Sequence, residues 1–410
     1  MSITNHPDVV VIGGGILGCS IASYLSQQPG LTVTVIERGG LAEQTTSQAA
    51  GLLTRIRPSS GLTALATETF EAIDRLEQGS GVQLPLQRAG SLQVAASASG
   101  QHQLETLALR AAEFGRKTEW LDNSEAERLS PWLALEEGAR ALFLPDDGYI
   151  DPYALCMAYA RAARRNGVRF LLHHEVTALV GSGDRVTGVR LSTGDTVQAG
   201  LVIDAAGPWS TALARQQGIN LAMAPIRSHY WISAPHPRIA NGGPMTILPD
   251  SGAYARPEVG GLLFGLRDSR AVYARPDALP DSLHGYSFDV DSTGDEALEA
   301  GYPAFQRQCQ VLEELTLANY ISSISSYTPD GAPLIGTMPG VGGFLAATGC
   351  SGAGVGLSGG IGRLVSDLVS GQTPFVSLND FRLDRFGPVD SFDATFIQRC
   401  AEARARKRSG

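Results

Sequence analysis

The chain opens on an apolar run that is interrupted by glycines and then continues with helical spacing. Residues 8–12 are almost continuously apolar, which is typical of a parallel strand buried on both faces. Between residues 16 and 27 the apolar positions recur with the period of a helix, and residues 31–37 form a second apolar run. This pattern predicts a strand, a helix and a second strand, with a glycine-rich turn between the first strand and the helix.

The rest of the chain shows two kinds of pattern. Residues 151–180 predict a helix followed by a strand, and residues 184–210 predict a β-meander and a buried strand that ends at residues 205–207. Residues 226–324 differ, because β-branched and aromatic residues alternate there in short runs separated by Pro and Gly. The chain is therefore predicted to be an α/β protein with an inserted, largely antiparallel β region.

Composition narrows the classes of function. The chain has 410 residues, of which 43% are hydrophobic, and this length predicts two domains or one domain with a large insertion. A net charge of -9 gives no support for nucleic-acid binding. Five scattered cysteines without a C-x-x-C pair predict neither a disulfide framework nor a zinc site, and no metal is expected. Without a targeting signal or an apolar run of about 18 residues, the sequence predicts a cytoplasmic protein that lacks transmembrane segments.

The glycine-rich turn has the spacing of a dinucleotide-binding motif. In the sequence G-x-G-x-x-G, Gly13 makes the tight turn, Gly15 admits a pyrophosphate, and Gly18 lets the helix pack closely on the strand. The N-terminus of the helix then faces the phosphates with unpaired N–H groups. Glu37 lies 19 positions after Gly18, where a carboxylate accepts hydrogen bonds from ribose hydroxyls. Both NAD and FAD satisfy this motif.

A second glycine cluster, residues 328–371, favours the longer of these cofactors. The chain has 48 glycines, and they concentrate toward its two ends. In the second cluster the pattern predicts a strand, a glycine-rich loop and a helix at residues 358–369. The N-terminus of that helix supplies further N–H groups, suited to the negative charge of a reduced flavin ring. Two distant glycine-lined sites therefore indicate FAD.

Three segments resemble the D-amino-acid oxidase superfamily of FAD-dependent oxidoreductases, in particular its branch of glycine and sarcosine oxidases and dimethylglycine dehydrogenases. They are residues 45–61, TTSQAAGLLTRIRPSSG; residues 254–265, YARPEVGGLLFG; and residues 328–336, TPDGAPLIG. The resemblance covers about residues 8–387 and implies a Rossmann-like FAD-binding domain with an inserted substrate domain. The expected FAD-binding domain comprises residues 1–83, 146–225 and 325–390, and the substrate domain comprises residues 84–145 and 226–324. Residues 391–410 are expected to form a tail, frayed or disordered from residue 399 onward.

The resemblance implies FAD as the cofactor and indicates the residues near it. Ser47 is expected to cap a helix that begins there. The expected cofactor-binding residues are Gly13, Gly15, Ile16, Leu17, Gly18, Glu37, Arg38, Ser47, Gln48, Ala49, Ala50, Gly51, Leu52, Val176, Ala206, Gly207, Trp209, Cys350, Ser351, Gly352, Ala353, Gly354 and Val355. Gln48 and Ser323 stand where some members of the superfamily carry the His and the Cys that bond covalently to flavin, so noncovalent FAD is expected.

The resemblance also implies a reaction. A hydride leaves the carbon next to the nitrogen of an amino acid or N-alkylated amine, giving an imine and reduced FAD. Tyr254 and His229 are the expected catalytic residues, with His229 taking up the amine proton. The expected substrate-binding residues are Arg55, Arg57, Arg256 and Tyr327. Two cations that hold the substrate carboxylate elsewhere in the superfamily are replaced by Ser325 and Gly356.

Two other functions stay open at this point. One is the oxidation of 2-hydroxy acids, which other members of the superfamily perform and which needs no amine deprotonation. The other is a regulatory or assembly role without catalysis, as in flavoproteins related to dimethylglycine dehydrogenase. For an enzyme, the electron acceptor is expected to be O2, a quinone or a redox protein.

Overall fold

The computed structural model describes residues 6–182 and 184–406. Its helices in chain order are α1 (Ile16–Leu25), α2 (Ser60–Ser80), α3 (Ala98–Glu113), α4 (Asn123–Leu129), α5 (Pro152–Arg165), α6 (Ser210–Arg215), α7 (Asp295–Gln306), α8 (Gly354–Val369) and α9 (Ala394–Arg406). Its strands are β1 (Val9–Ile12), β2 (Val33–Ile36), β3 (Leu52–Leu53), β4 (Leu86–Gln87), β5 (Ser91–Ala95), β6 (Glu119–Leu121), β7 (Arg140–Leu144), β8 (Gly148–Ile150), β9 (Arg169–Leu171), β10 (Val176–Ser182), β11 (Arg185–Leu191), β12 (Thr196–Gln198), β13 (Leu201–Asp204), β14 (Ala224–Ser233), β15 (Met245–Leu248), β16 (Ala253–Glu258), β17 (Gly261–Gly265), β18 (Leu317–Tyr327), β19 (Leu334–Gly336) and β20 (Phe344–Thr348).

A six-stranded sheet forms the centre of one half of the molecule. Its order is β19-β20-β13-β1-β2-β9, and its strands are parallel except for the antiparallel pair β19 and β20. Every residue of β1 and β2 is buried, as the continuous apolar runs predict. The carboxyl ends of β1, β2 and β13 meet at one edge, so the residues that follow these strands lie close together.

Helix α8 packs against α1 and α2 at very short range because its glycines face these two helices. A Cβ at Gly360 of α8 would lie 2.3 Å from the Cα of Leu65 in α2. A Cβ at Gly362 would lie 2.4 Å from the Oγ of Ser20 in α1. This packing holds the N-terminus of α8 close to that of α1, so the two glycine clusters of the sequence meet in space.

An eight-stranded sheet forms the second half, in the order β18-β14-β17-β16-β15-β5-β7-β6. Its pairs are antiparallel except for the parallel pair β15 and β5, which fits the predicted, largely antiparallel region. Trp231 stacks on Phe264 in its core, with ring centroids 5.6 Å apart. The strands of this sheet come from residues 91–144 and 224–327. The exact domain boundaries stay a prediction.

The expectation of a frayed or disordered end from residue 399 is wrong for the residues that the structure describes. Helix α9 continues to Arg406, and residues 407–410 lie outside the described part of the chain. Phe396, Ile397, Cys400 and Ala401 recur at helical spacing and are buried against β14 and the end of β18. The basic surface residues of this segment obscured that apolar stripe in the sequence.

Candidate active site

The turn between β1 and α1 has no room for side chains. Gly13 has a φ of +102°, and a Cβ there would lie 2.6 Å from the carbonyl oxygen of Ala205. A Cβ at Gly18 would lie 1.9 Å from the carbonyl oxygen of Gly13. Gly18 therefore serves the close packing of helix on strand, whereas Gly13 and Gly15 line a cavity at the N-terminus of α1.

Glu37 is held rigidly at the end of β2. Its carboxylate accepts the backbone N–H of Gly14 (2.6 Å) and that of Gly39 (2.8 Å). A carboxylate has about four accepting positions, so both oxygens can still accept hydrogen bonds from ribose hydroxyls. Glu37 lines the same cavity as Gly13 and Gly15, which is the arrangement expected from its spacing.

This first cavity has a volume of about 410 Å³ and lies along the carboxyl edge of the parallel sheet. Its walls combine residues that are far apart in the sequence. The expected cofactor-binding residues that line it are Gly13, Gly15, Ile16, Leu17, Glu37, Arg38, Ala49, Val176, Ala206, Gly207, Trp209, Cys350, Gly352, Gly354 and Val355. Both glycine clusters therefore contribute to one elongated cavity.

The remaining residues of the expected cofactor set lie elsewhere. Gln48, Ala50, Gly51, Leu52 and Ala353 line an adjoining second cavity. Ser351 lines a third cavity, where its hydroxyl accepts the backbone N–H of Thr328 (3.2 Å).

The predicted helix at Ser47 is wrong. Residues 41–48 form successive turns, and the exposed Ser47 hydroxyl donates to the carbonyls of Glu43 and Gln44. The preceding residue has the role that sequence reasoning missed, since Thr46 Oγ1 accepts the backbone N–H of Ile16 (3.0 Å) at the start of α1. Thr46 also lines the first cavity. A threonine in a turn gives no sequence signal for capping a helix 30 residues earlier.

Polar groups without partners show that the first cavity fits a dinucleotide. The guanidinium of Arg38 stacks 3.9 Å from the centre of the Trp209 ring, and its buried Nη2 has no hydrogen-bond partner among the described residues. The hydroxyl of Ser326, which also lines the cavity, is buried and likewise finds no partner within the part of the chain that the structure describes. Buried polar groups are normally satisfied, so these groups indicate a polar ligand. Together with the free N–H groups of α1 and α8, they fit FAD.

The second cavity is much smaller, about 90 Å³, and continues from the first. The two cavities share wall residues from the turn after β2, from β18 and from the loop before α8. The shared residues are Thr45, Ala49, Ser325, Gly352 and Val355. Such a volume holds a compact ligand and not a drug-sized one. The boundary between the cavities is therefore where cofactor and substrate would meet.

Three tyrosines line the second cavity: Tyr230, Tyr254 and Tyr327. The Tyr254 hydroxyl lies 3.5 Å from the carbonyl oxygen of His229. Burial raises the pKa of Tyr254 well above its ordinary value and raises that of Tyr230 to about 12. Both phenols are therefore protonated at neutral pH and can donate hydrogen bonds, but they cannot act as bases.

His229 also borders the second cavity, but its imidazole is fully engaged. Its Nε2–H donates to the carbonyl oxygen of Leu266 (3.1 Å), and its Nδ1 accepts from the Tyr320 hydroxyl (3.0 Å). Burial lowers the pKa of His229 to about 4. The ring is neutral at physiological pH and has no nitrogen left for an amine, which argues against the expected proton-transfer role.

The structure does not bring the three expected arginines into the second cavity. Arg55 donates to the carbonyl of Asp146 and stacks 3.7 Å from the centre of the Phe70 ring. Arg256 donates from Nε to the carbonyl of Ala50 (2.7 Å), so it supports the cavity wall from behind.

Arg57 is buried and lines the third cavity, where its backbone carbonyl accepts from Arg110. Burial lowers the pKa of Arg57 to about 10. A Cβ at Gly356, in the wall of the second cavity, would lie 2.8 Å from Arg57 Nη2. The guanidinium of Arg57 therefore lies directly beside Gly356, a wall residue of the second cavity, without itself lining that cavity.

Two arginines that sequence reasoning missed do line the second cavity. They are Arg267, in the loop after β17, and Arg404, near the end of α9. Neither belongs to a motif, and Arg404 lies in the segment expected to be frayed. The helical apolar spacing around residue 400 is the one signal in the sequence that points to a buried face there.

Residues 6–182 and 184–406 contain neither a candidate membrane span nor a candidate metal site. Within residues 6–182 and 184–406, no helix is long and apolar enough to cross a membrane. Over the same ranges, no group of three or more His, Cys, Asp or Glu side chains is arranged to hold a metal ion.

Known proteins are similar to this chain in sequence and in fold. The mitochondrial dimethylglycine dehydrogenase of Mus musculus is 28% identical over an alignment that covers 99% of this chain and 46% of that protein. The 4-methylaminobutanoate oxidase (formaldehyde-forming) of Paenarthrobacter nicotinovorans is 30% identical over 393 residues, covering 94% of this chain and 46% of that protein. The chain thus spans about half the length of these curated relatives.

A relative of similar size is known from a crystal structure. Glycine oxidase from Geobacillus kaustophilus superimposes with a TM-score of 0.76 at 25% identity, covering 93% of this chain and 99% of that one. The sequence model of the FAD dependent oxidoreductase family matches residues 8–368, which include the first glycine cluster, residues 328–368 of the second, and the eight-stranded sheet. The predicted superfamily, α/β fold class and FAD cofactor are confirmed, and the chain belongs to the FAD dependent oxidoreductase family.

Proposed function

We propose that this protein oxidises the carbon–nitrogen bond of a small amino acid or N-alkylated amine, using noncovalently bound FAD. The observation that carries the proposal is the junction of a compact, tyrosine-lined cavity with the elongated glycine-lined cavity, across five shared wall residues. The relatives named dimethylglycine dehydrogenase, 4-methylaminobutanoate oxidase and glycine oxidase support a nitrogen-bearing substrate.

The first cavity offers defined partners to each part of the cofactor. Gly13 and Gly15 leave the backbone open to the pyrophosphate, and Glu37 offers carboxylate oxygens to the ribose hydroxyls. The helix α8 directs its N-terminal N–H groups toward the boundary of the two cavities. When bound, FAD supplies a two-electron oxidant that accepts a hydride from the carbon next to nitrogen, while the nitrogen lone pair forms the C=N bond.

The residues of the second cavity orient the substrate and exclude water. Tyr254 and Tyr327 present hydroxyl groups to a ligand, and Leu52, Ile247 and Val355 provide apolar walls. Hydride leaves only from a neutral amine. Burial keeps Tyr230 and Tyr254 protonated, and both nitrogens of His229 are engaged, so none of these three residues has the character of a base. We infer that the substrate amine binds in its neutral form or loses its proton to water.

The side chains near the boundary support noncovalent binding. Gln48 donates from Nε2 to the carbonyl of Leu283 (3.0 Å), and its buried Oε1 has no partner among the described residues. Ser323 also lines the second cavity, and its hydroxyl has no partner within residues 6–182 and 184–406. An amide or a hydroxyl does not readily bond covalently to flavin, whereas both can hydrogen-bond to it.

The test begins with the purified protein. Acid precipitation is expected to release yellow FAD into the supernatant, because no covalent link retains it. The holoprotein is then mixed anaerobically with amino acids, N-methyl amino acids, cyclic imino acids and 2-hydroxy acids, and bleaching of the flavin absorbance is followed. Bleaching by a nitrogen compound supports the proposal, and bleaching by 2-hydroxy acids alone replaces it with the alternative chemistry. If no compound bleaches the flavin, the proposal falls in favour of a role without catalysis.

The electron acceptor and the cellular compartment are also proposals. We propose that O2, a quinone or a redox protein reoxidises the flavin, and reoxidation rates of the reduced protein with each of these distinguish them. A reducing compartment such as the cytoplasm is proposed because all five cysteines are buried thiols without a structural disulfide.

A further inference from the structure

Helix α9 supplies a cation to the second cavity. Residues 396, 397, 400 and 401 form its buried stripe against β14 and the end of β18. Arg404 lies four residues after Cys400, on the same face, so it continues this stripe. The apolar part of the stripe docks the helix, and Arg404 reaches beyond it into the wall of the second cavity.

Arg404 has hydrogen-bonding capacity that the protein does not use. Its Nε is buried and has no hydrogen-bond partner among the described residues. A buried, unpaired donor on a charged group is costly, so the position indicates a ligand that satisfies it. Arg267 lines the same cavity and donates from Nη1 to the carbonyl of Ala405 (2.9 Å), which ties the end of α9 to this wall.

The charge of the second cavity is one-sided. Two arginines line it, and none of the described residues that line it is an aspartate or a glutamate. The nearby carboxylate of Asp268 is paired with the buried Arg227, which also binds Asp291. A cavity with two cations and no lining carboxylate favours an anionic ligand.

Small neutral residues occupy two wall positions of the second cavity where cations were expected. Ser325 and Gly356, which stand where the family resemblance led us to expect cations, both line the second cavity and carry no charge. We propose that Arg404, assisted by Arg267, binds the carboxylate of the substrate, so that α9 is a wall of the substrate site. The inference rests on the proposed function for its substrate class, and it specifies an amine that carries a carboxylate.

The test measures carboxylate binding without turnover. Propanoate and its neutral isostere propanamide are titrated into the oxidised holoprotein, and dissociation constants are read from the visible difference spectrum of the flavin. Arg404→Gln is expected to weaken propanoate binding about 10- to 100-fold, because it removes a charge-assisted, bidentate partner, and to leave propanamide binding unchanged. Arg399→Gln is the matched control, since Arg399 is exposed on the same helix.

Arg404→Lys is a second test variant, used if Arg404→Gln does not fold. It keeps the charge but loses the bidentate geometry, so a loss of about 3- to 10-fold is expected. Unchanged propanoate affinity in Arg404→Gln, or in Arg404→Lys if the Gln variant does not fold, overturns the inference. A wild-type protein that does not prefer propanoate to propanamide also overturns it.

The inference and the proposed function fail in different ways. If amines bleach the flavin but propanoate affinity does not depend on Arg404, the proposed function stands and the proposed carboxylate site is wrong. If propanoate binding depends on Arg404 but no nitrogen compound bleaches the flavin, the anion site stands and the proposed reaction falls.

Discussion

At the scale of single residues, the structure places side chains that look alike in the sequence in different surroundings, so their roles differ. Arg55, Arg57 and Arg404 are all plausible anchors for a carboxylate, yet only Arg404 lines the second cavity. His229 lies on the expected strand, but both of its nitrogens are used within the protein. The role of such a residue depends on its partners, and these come from other elements.

The state of His229 gives a prediction that depends on pH. Its pKa is about 4 in the folded protein and 6.5 as an ordinary value, because burial disfavours the charged ring. Below about pH 6.5 the unfolded chain takes up a proton that the native chain does not, so stability is lost as pH falls from 6.5 toward 4. The loss attributable to His229 is on the order of 3 kcal/mol.

His229→Gln is therefore expected to lower the unfolding free energy at pH 7.5 by about 1 to 3 kcal/mol, because Tyr320 or Leu266 loses a partner. It is also expected to flatten the decline in stability between pH 6.5 and 4.5, relative to wild type and to the exposed control His284→Gln. Urea unfolding at several pH values measures both effects. If instead the variant loses an apparent pKa near 7 from the pH profile of flavin reduction, His229 does transfer a proton and this account is wrong.

At the scale of elements, glycine decides how closely helices approach. Gly360 of α8 faces the backbone of α2, whereas Gly79 of α2 has only the end of the Arg165 side chain within reach, 3.9 Å from an added Cβ. Gly360 lies in the interior of α8, where alanine improves helix propensity by roughly 1 kcal/mol, whereas Gly79 lies in the last turn of α2, where the gain is smaller. Because their surroundings differ, alanine is expected to decrease the stability of the protein at position 360 and to leave it unchanged or increase it at position 79.

Gly360→Ala is expected to destabilise the protein by about 2 kcal/mol or more and to weaken FAD binding, because it forces α8 away from α2 and moves its N-terminus. Gly79→Ala is expected to be neutral or stabilising by up to about 1 kcal/mol. Thermal unfolding and FAD titration of both variants check this. Equal effects of the two substitutions would show that the close contact between α2 and α8 does not limit stability.

At the scale of the whole molecule, the cofactor cavity joins distant parts of the chain. Its walls come from residues 12–49, 175–216, 325–326 and 348–355. A ligand that binds only the assembled cavity stabilises the native state by about 2.7 kcal/mol when its concentration is 100 times its dissociation constant. The cofactor is thus expected to contribute to the stability of the fold as well as to its chemistry.

Removal of FAD is accordingly expected to lower the thermal midpoint, and added FAD is expected to restore it in a concentration-dependent way. Arg38→Met should reduce this gain, since the variant lacks the unpaired guanidinium that faces the cavity. Differential scanning calorimetry of the apo and reconstituted proteins provides the measurement. A midpoint that does not respond to FAD in the wild-type protein contradicts this role of the cofactor.

The sequence by itself determined the cofactor side of this protein. The strand, the G-x-G-x-x-G turn, the helix and Glu37 are close in the chain, so their spacing alone specifies a pyrophosphate at a helix N-terminus and a carboxylate for the ribose. The second glycine cluster and the parallel strands are likewise visible as local patterns. Their geometry follows from backbone rules that act over a few residues.

Only the tertiary structure decided the substrate side. The second cavity is assembled from residues near positions 50, 230, 254, 325, 355 and 404, and no local pattern relates them. Arg404 enters the site because a buried stripe docks α9 on β14. His229 borders the site, but its ring nitrogens are not open to a ligand because Tyr320 and Leu266 use them. Long-range packing and burial set which charges face the cavity, and these are properties of the folded chain.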